Sequence, residues 1–173
     1  KTTIVNRLLS MGLPLEFSIS ATSRKMRQGE QHGVDYYFYT PEIFKEKIDK
    51  EEFLEWVEVY ENQFYGTLKT ELDRIWQKGK HVIFDVDAIG GMNIKQKFPN
   101  NSLAIFLMPP SLQELRNRLN KRGTETPESL ALRLDRAEYE MGFAKQFDKV
   151  ITNDNLEEAT QKTYNTIVEF LNK

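Results

Sequence analysis

His81-Val82-Ile83-Phe84-Asp85-Val86 and Leu103-Ala104-Ile105-Phe106-Leu107 decide the fold. Both are nearly continuous apolar runs, the pattern of strands covered on both faces as in a parallel sheet. Each precedes a helical segment, and the second of these opens on Ser111-Leu112-Gln113-Glu114, a capping box with Glu three residues after Ser. Strands of this kind alternating with helices predict an α/β layered fold.

Working outward, residues 2–11 predict a helix with Ile4, Val5, Leu8 and Leu9 on one side. Leu15-Glu16-Phe17-Ser18-Ile19-Ser20 alternates apolar and polar, as a half-buried strand does. Residues 21–34 turn basic, polar and glycine-bearing and read as a loop. Thr40-Pro41-Glu42 opens a short helix, with Thr as N-cap and Pro in the first helical position. Residues 53–60 return to strand character, and 63–66 to a further short strand or turn. A helix is expected from Thr67, with Leu68, Leu72, Ile75 and Trp76 on one face and a stop at Gly79. Another begins at Thr126-Pro127 and runs past Met141. A short strand at 149–152 and an amphipathic helix over 156–171 complete the chain. The aromatic block 35–65 breaks the rhythm and reads as an inserted subdomain with antiparallel strands. Ligands in such sheets bind beyond the carboxyl ends of strands. That directs attention to Arg24, Asp85, Asp87 and Asn153.

The 173 residues suit one domain, and 39% hydrophobic content suffices for a core. A formal charge of −2 argues against a non-specific nucleic-acid binder, while leaving small anionic ligands open. The absence of cysteine excludes disulfides, thiolate-bound zinc and thiol catalysis. No apolar run approaches the roughly 18 residues of a membrane span, so a soluble, cytoplasmic protein without a membrane partner is expected. Neither His32 nor His81 has a motif around it.

Lys1-Thr2-Thr3 at the start of an amphipathic helix is how a phosphate-binding P-loop ends. In such loops Lys reaches the β- and γ-phosphates and the hydroxyl serves Mg²⁺. Alone, three residues read as an ordinary helix start. The rest of the chain agrees with the first reading. Ser20-Ala21-Thr22-Ser23-Arg24, then Arg27, Gly29, Gly33 and Asp35-Tyr36-Tyr37-Phe38, resembles the GMP-binding stretch of guanylate kinases. Phe53-Leu54-Glu55-Trp56, Tyr65-Gly66-Thr67, Asp85-Val86-Asp87, Pro109-Pro110-Ser111, Arg122-Gly123-Thr124-Glu125-Thr126 and Val150-Ile151-Thr152-Asn153-Asp154 resemble that family in the same order, across essentially the whole chain.

The resemblance implies a P-loop kinase core, a parallel sheet flanked by helices, over 1–34, 66–117 and 134–173. It also implies an inserted mixed or antiparallel GMP-binding subdomain near 35–65 and a helical lid near 118–133. The first strand and the glycine-rich part of the loop are expected before Lys1. The implied reaction is reversible phosphoryl transfer from MgATP to GMP, giving GDP and ADP. By the same resemblance Glu55, Ser20 and Thr67 read guanine, and Arg24, Arg27, Tyr36 and Tyr65 hold the GMP phosphate. Lys1, Thr2 and Thr3 take the ATP phosphates, and Arg118, Arg122 and Arg133 form a cationic lid over them. Asn153 lies near adenine. Thr2 is the metal ligand, and Asp87 either organises Mg²⁺ through water or orients a clamp arginine. Lys1, Arg24, Asp87, Arg118, Arg122 and Arg133 carry the catalysis.

The chemistry of guanine fits these roles: a carboxylate accepts from N1–H and the N2 amino group, and a hydroxyl donates to O6. Lys25 stands where the family usually has Pro, which loosens the expected placing of Arg24. The rival is a guanylate-kinase-like interaction domain with a peptide or phosphopeptide in the GMP cleft; another nucleoside monophosphate kinase is a further alternative. Oligomeric state is left open.

Overall fold

The structure is a computed structural model. It describes residues 1–122 and 126–173, apart from the side chain of Arg122. The chain forms two compact units, Lys1–Ile94 and Lys95–Lys173.

In the first unit, α1 (Thr2–Ser10) buries Ile4, Val5 and Leu8, the stripe its period dictates. β1 (Leu15–Phe17) follows, then the two-residue strands β2 (Ala21–Thr22) and β3 (Tyr37–Phe38). α2 (Pro41–Asp49) starts as expected: the Thr40 hydroxyl accepts from Ile43 N–H, and Pro41 sits where no helical partner is needed. β4 (Phe53–Tyr60) and β5 (Gln63–Leu68) form a hairpin, followed by α3 (Lys69–Trp76) and β6 (His81–Ile83). α4 (Ala88–Lys97) begins in this unit and ends in the next.

β1 and β6 pair in parallel, Leu15 opposite His81 and Phe17 opposite Ile83. The other strands form a mixed sheet in the order β3-β2-β5-β4, parallel only between β2 and β3. Ala21, Phe44, Phe53, Phe64 and Leu68 make its core. Phe44 stacks on Phe53 at 4.4 Å and on Phe64 at 5.5 Å between ring centroids. Residues 21–22, expected within a loop, are therefore a central strand of this sheet. Their partners come from residues 37–38 and 65–66, too distant in sequence for local composition to reveal. Thr67, expected to open a helix, lies within β5 instead, and the helix starts at Lys69, just after Leu68 ends the strand.

A buried carboxylate joins the layers. Glu71, on α3, accepts from Ile19 N–H at 2.7 Å, from the Tyr37 hydroxyl at 2.9 Å and from Arg74. Arg74 also donates to Glu16 and to the Phe17 carbonyl, so α3 is stapled to β1. Burial works to raise the Glu71 pKa, but the bonds from Arg74, Ile19 and Tyr37 outweigh it and the net shift is downward.

In the second unit, β7 (Ile105–Met108) precedes α5 (Leu112–Arg122) and α6 (Pro127–Met141). A 3₁₀ turn at Ala144–Gln146, β8 (Lys149–Thr152) and α7 (Leu156–Leu171) complete it. β7 and β8 are parallel, Ile105 opposite Lys149 and Met108 opposite Thr152. Of the box expected at α5, the Ser111 hydroxyl accepts from Glu114 N–H, whereas the Glu114 carboxylate accepts from Arg118. Thr126 and Ser129 cap α6 reciprocally. β7 is half-buried, as are Val82 and Ile83 of β6. The two-sided cover expected of these runs is thus incomplete, and each strand has one hydrogen-bonded neighbour among the described residues. No helix among those residues is long and apolar enough to cross a membrane.

Candidate active site

The β4–β5 hairpin brings Glu55 opposite Thr67. Both are buried, Glu55 to 5% exposure, and the Thr67 hydroxyl donates to Glu55 Oε1 at 2.7 Å. Between Tyr65 and Thr67, Gly66 lets the strands close: a Cβ there would lie 2.8 Å from the Glu55 carbonyl oxygen. The other carboxylate oxygen rests against α4, where a Cβ on Gly90 would come within 2.8 Å of Glu55 Oε2 and 3.1 Å of Asp87 Oδ1. Asp87 accepts from Gly90 N–H at 2.7 Å and so caps α4. Ser20, also buried, follows Ile19, whose amide is fixed by Glu71.

Arg24 is the centre of a second cluster. Its side chain is only 10% exposed, and Nη1 and Nη2 donate to the two oxygens of Glu30 at 2.7 and 2.6 Å. The guanidinium lies 4.9 Å from the Tyr36 ring centroid and 5.4 Å from that of Phe38. Tyr65 packs edge-on against Tyr36 at 6.2 Å. Arg27 is exposed, and its amide donates to Glu30 Oε2. The Glu30 bond raises the Arg24 pKa above its ordinary value, and Arg24 holds the Glu30 carboxyl down at about 2. Lys25 contributes its carbonyl to Arg24 Nη1, a backbone contact that a proline there would also offer.

The third cluster opens α1. Thr2 Oγ1 donates to Asp85 Oδ2 at 3.0 Å, while Lys1 Nζ lies 3.5 Å from Asp85 Oδ1 and donates to the Val86 carbonyl. Thr3 is exposed beside them. Burial pushes the Tyr36 hydroxyl pKa up; Tyr65 and Asp85 add to this, and Arg24 and Lys1 oppose it. The arginine cluster and the Lys1–Asp85 pair thus both act on Tyr36.

In the second unit, Arg118 reaches from α5 to the end of β8, donating from Nη1 to the Asn153 carbonyl at 2.8 Å and from Nη2 to the Asp154 carbonyl at 3.3 Å. Arg118 and Asn153, two of the residues singled out from sequence, are thus in contact. Arg133 is half-buried on α6. The Arg122 side chain and residues 123–125 lie outside the described residues.

Asp85, Glu30 and Gly90 take part in these clusters without a role expected from sequence. Asp85 carried a signal, its place at the end of an apolar run, but one shared with Asp87. Glu30 and Gly90 carried none, because what matters about them is which distant side chain each one meets.

A lysine-and-threonine helix start beside a strand-end carboxylate, together with an arginine–tyrosine cluster, suits an α/β protein with two phosphate-bearing ligands, as in nucleotide kinases. Similarity to known proteins makes this specific. Residues 1–170 match the family model described as Guanylate kinase. A guanylate kinase of Bacteroides thetaiotaomicron is 53% identical over 173 residues, covering 100% of this chain and 85% of that protein. One from Porphyromonas gingivalis is 47% identical, covering 100% and 93%. The crystal structure of guanylate kinase from Anaplasma phagocytophilum superposes with a TM-score of 0.80 at 30% identity, covering 97% of this chain and 80% of that one. The chain belongs to the guanylate kinase family.

Proposed function

We propose that this enzyme transfers the γ-phosphoryl group of ATP to GMP, reversibly, and that the roles divide among the three clusters. The observation that carries the reading is the buried Glu55–Thr67 pair. A carboxylate held inside a sheet by a neutral donor is a reader of paired N–H groups, and guanine offers N1–H and N2–H on one edge. Because the Thr67 hydrogen is directed to Glu55, Ser20 is the donor for O6, and Thr67 keeps a lone pair for the N2 amino group. Adenine would set an acceptor at N1 against the carboxylate. Sites built on such bonds discriminate by about four orders of magnitude.

Arg24, Arg27, Tyr36 and Tyr65 take the GMP phosphate, the arginines as charged forks and the tyrosines as neutral donors. Lys1, Thr2 and Thr3 take the ATP phosphates. The Thr2 hydroxyl and the Asp85 carboxylate, two hard oxygens 3.0 Å apart, suit Mg²⁺, which takes few protein ligands, and they are the residues that would hold it. Bound there, the ion supplies charge neutralisation at the β- and γ-phosphates. Asp87 acts one step back, by fixing the start of α4 against Glu55.

A GMP phosphate oxygen forms the new bond to the γ-phosphorus as the bond to the β-bridging oxygen breaks, and ADP leaves with that electron pair. The charge is conserved without a proton, so the protein's work is positioning and neutralisation. Arg118, Arg122 and Arg133 complete the cationic surround, with Asn153 near adenine. Residues near 35–65 act as a GMP-binding subdomain and those near 118–133 as a lid, whose closure excludes water and suppresses ATP hydrolysis. A cytoplasmic setting fits these substrates.

The test is a coupled ADP-release assay on the full-length protein with Mg-ATP and GMP, AMP, CMP or UMP. Turnover confined to GMP supports the proposal. GMP binding without turnover would point instead to an interaction domain, and turnover of AMP or UMP in place of GMP would overturn the guanine reading.

A further inference from the structure

Arg24 has five N–H donors in one plane, and the structure accounts for three. Nη1 spends both of its hydrogens, one on the Lys25 carbonyl at 3.0 Å and one on Glu30 Oε2 at 2.7 Å. Nη2 spends one on Glu30 Oε1 at 2.6 Å. Glu30 therefore sits across the Nη1–Nη2 end of the guanidinium. The remaining donors, Nε–H and the second Nη2–H, lie side by side on an adjacent edge, with the parallel geometry that takes two oxygens of a phosphate. The carboxylate and a phosphate do not compete for the same hydrogens.

We propose that Glu30 is a positioning residue of the acceptor-phosphate clamp, binding one edge of Arg24 so that the Nε–Nη2 edge is left to the GMP phosphate; this rests on the clamp role assigned to Arg24 above. Three further observations support it. The pair is largely withdrawn from water, Arg24 at 10% side-chain exposure and Glu30 at 18%, so it is not a screened surface contact. The Tyr36 and Phe38 rings fix the guanidinium in the other direction, which leaves one orientation for the fork. The same carboxylate also accepts from Arg27 N–H at 2.8 Å, drawing the backbone of the second clamp arginine into register with the first. The turn that brings Glu30 back onto Arg24 passes through Gly29 at φ +88°, a left-handed conformation that glycine adopts without strain. Glu30 itself does not touch the phosphate. It acts by lowering the cost of ordering Arg24 and Arg27 when the nucleotide arrives.

The test compares GMP with guanosine, which has the same base and ribose without the phosphate, by calorimetry on the full-length protein and on Glu30→Gln. The amide keeps the size of the side chain but replaces one acceptor oxygen with a donor, so the two-point contact is lost. The expected result is about a tenfold weaker GMP affinity with guanosine affinity unchanged. In steady-state kinetics KM for GMP rises in step, while KM for ATP and kcat stay within about twofold. Unchanged guanosine affinity also reports an intact fold. In an Arg24→Lys background the same substitution should cost little more, since the partner is already gone. Tighter GMP binding in Glu30→Gln would show that Glu30 competes with the phosphate, and equal losses for GMP and guanosine would show a merely structural role; either overturns the proposal. If the unsubstituted protein itself fails to prefer GMP over guanosine, the clamp reading falls instead.

Discussion

Arg24 in the first unit and Arg118 in the second are both assigned to phosphate groups, yet they are held differently. Arg24 is nearly withdrawn from solvent, bonded at two points to Glu30 and packed against the Tyr36 and Phe38 rings. Arg118 is 34% exposed and pairs through Nε with Glu114, itself 39% exposed, one turn back on the same helix. Its other donors go to the carbonyls of Asn153 and Asp154. Where water is scarce a charge acts strongly and its ordering is already done; where water is close, both effects shrink. The cluster proposed to hold the GMP phosphate is thus built in advance, whereas Arg118 sits on a helix surface closer to water.

The largest effect should separate the two arginines directly. Arg24→Met should lower kcat/KM for GMP by about a thousandfold, since it removes a charged fork from a dry site, while Arg118→Met should cost about tenfold and mostly through KM for ATP. Equal losses would erase the distinction.

Stability offers the next contrast. Glu71→Gln leaves Arg74 with a broken network under Ile19 and Tyr37 and should cost about 3 kcal/mol in urea unfolding. Glu114→Gln on the second unit should leave the urea midpoint where it was. A small loss at Glu71 would mean that its network is not what fixes Ser20.

Gly90→Ala sharpens the comparison within the first unit. The new Cβ would meet Glu55 Oε2 at 2.8 Å and must displace it, so KM for GMP should rise about tenfold with KM for ATP unmoved. Parallel changes in both constants would place the damage elsewhere in α4.

The smallest effect is with pH. The bond from Lys78 leads in lowering the Glu16 pKa to about 2, and Arg24 does the same for Glu30. Because these folded-state values lie below the unfolded ones, the stability they contribute is complete above the ordinary carboxylate range. It is lost as pH falls from there through about 2. Tm should therefore decline between about pH 4.5 and 2, and less steeply in Glu16→Gln. Identical profiles for the two proteins would remove Glu16 from the account.

What the sequence made legible follows from what is local. The caps at Thr40 and Thr126 and the stripe Ile4, Val5, Leu8 depend on neighbours within a turn, and they are where their spacing puts them. The family is legible for a different reason, since its motifs are spread over the whole chain. Long-range pairing was not legible. Ala21–Thr22 looked like loop because its partners lie elsewhere in the sequence. Thr67 reads as a helix start because the apolar face of the following helix begins beside it, but its pairing with Glu55 across the hairpin keeps it in β5. Asp85 and Asp87 are equivalent in one dimension. In three, Asp85 meets Thr2 and Lys1 while Asp87 meets the amide of Gly90.

The central claim is that Glu55, buried and held by Thr67, reads the paired donors of guanine. The most direct test is kcat/KM for GMP and for IMP, which lacks the N2 amino group, in the unsubstituted protein and in Glu55→Gln. The account predicts that the glutamine variant loses far more activity with GMP than with IMP, so that the preference for GMP falls by about tenfold or more. An unchanged GMP-to-IMP ratio would contradict it.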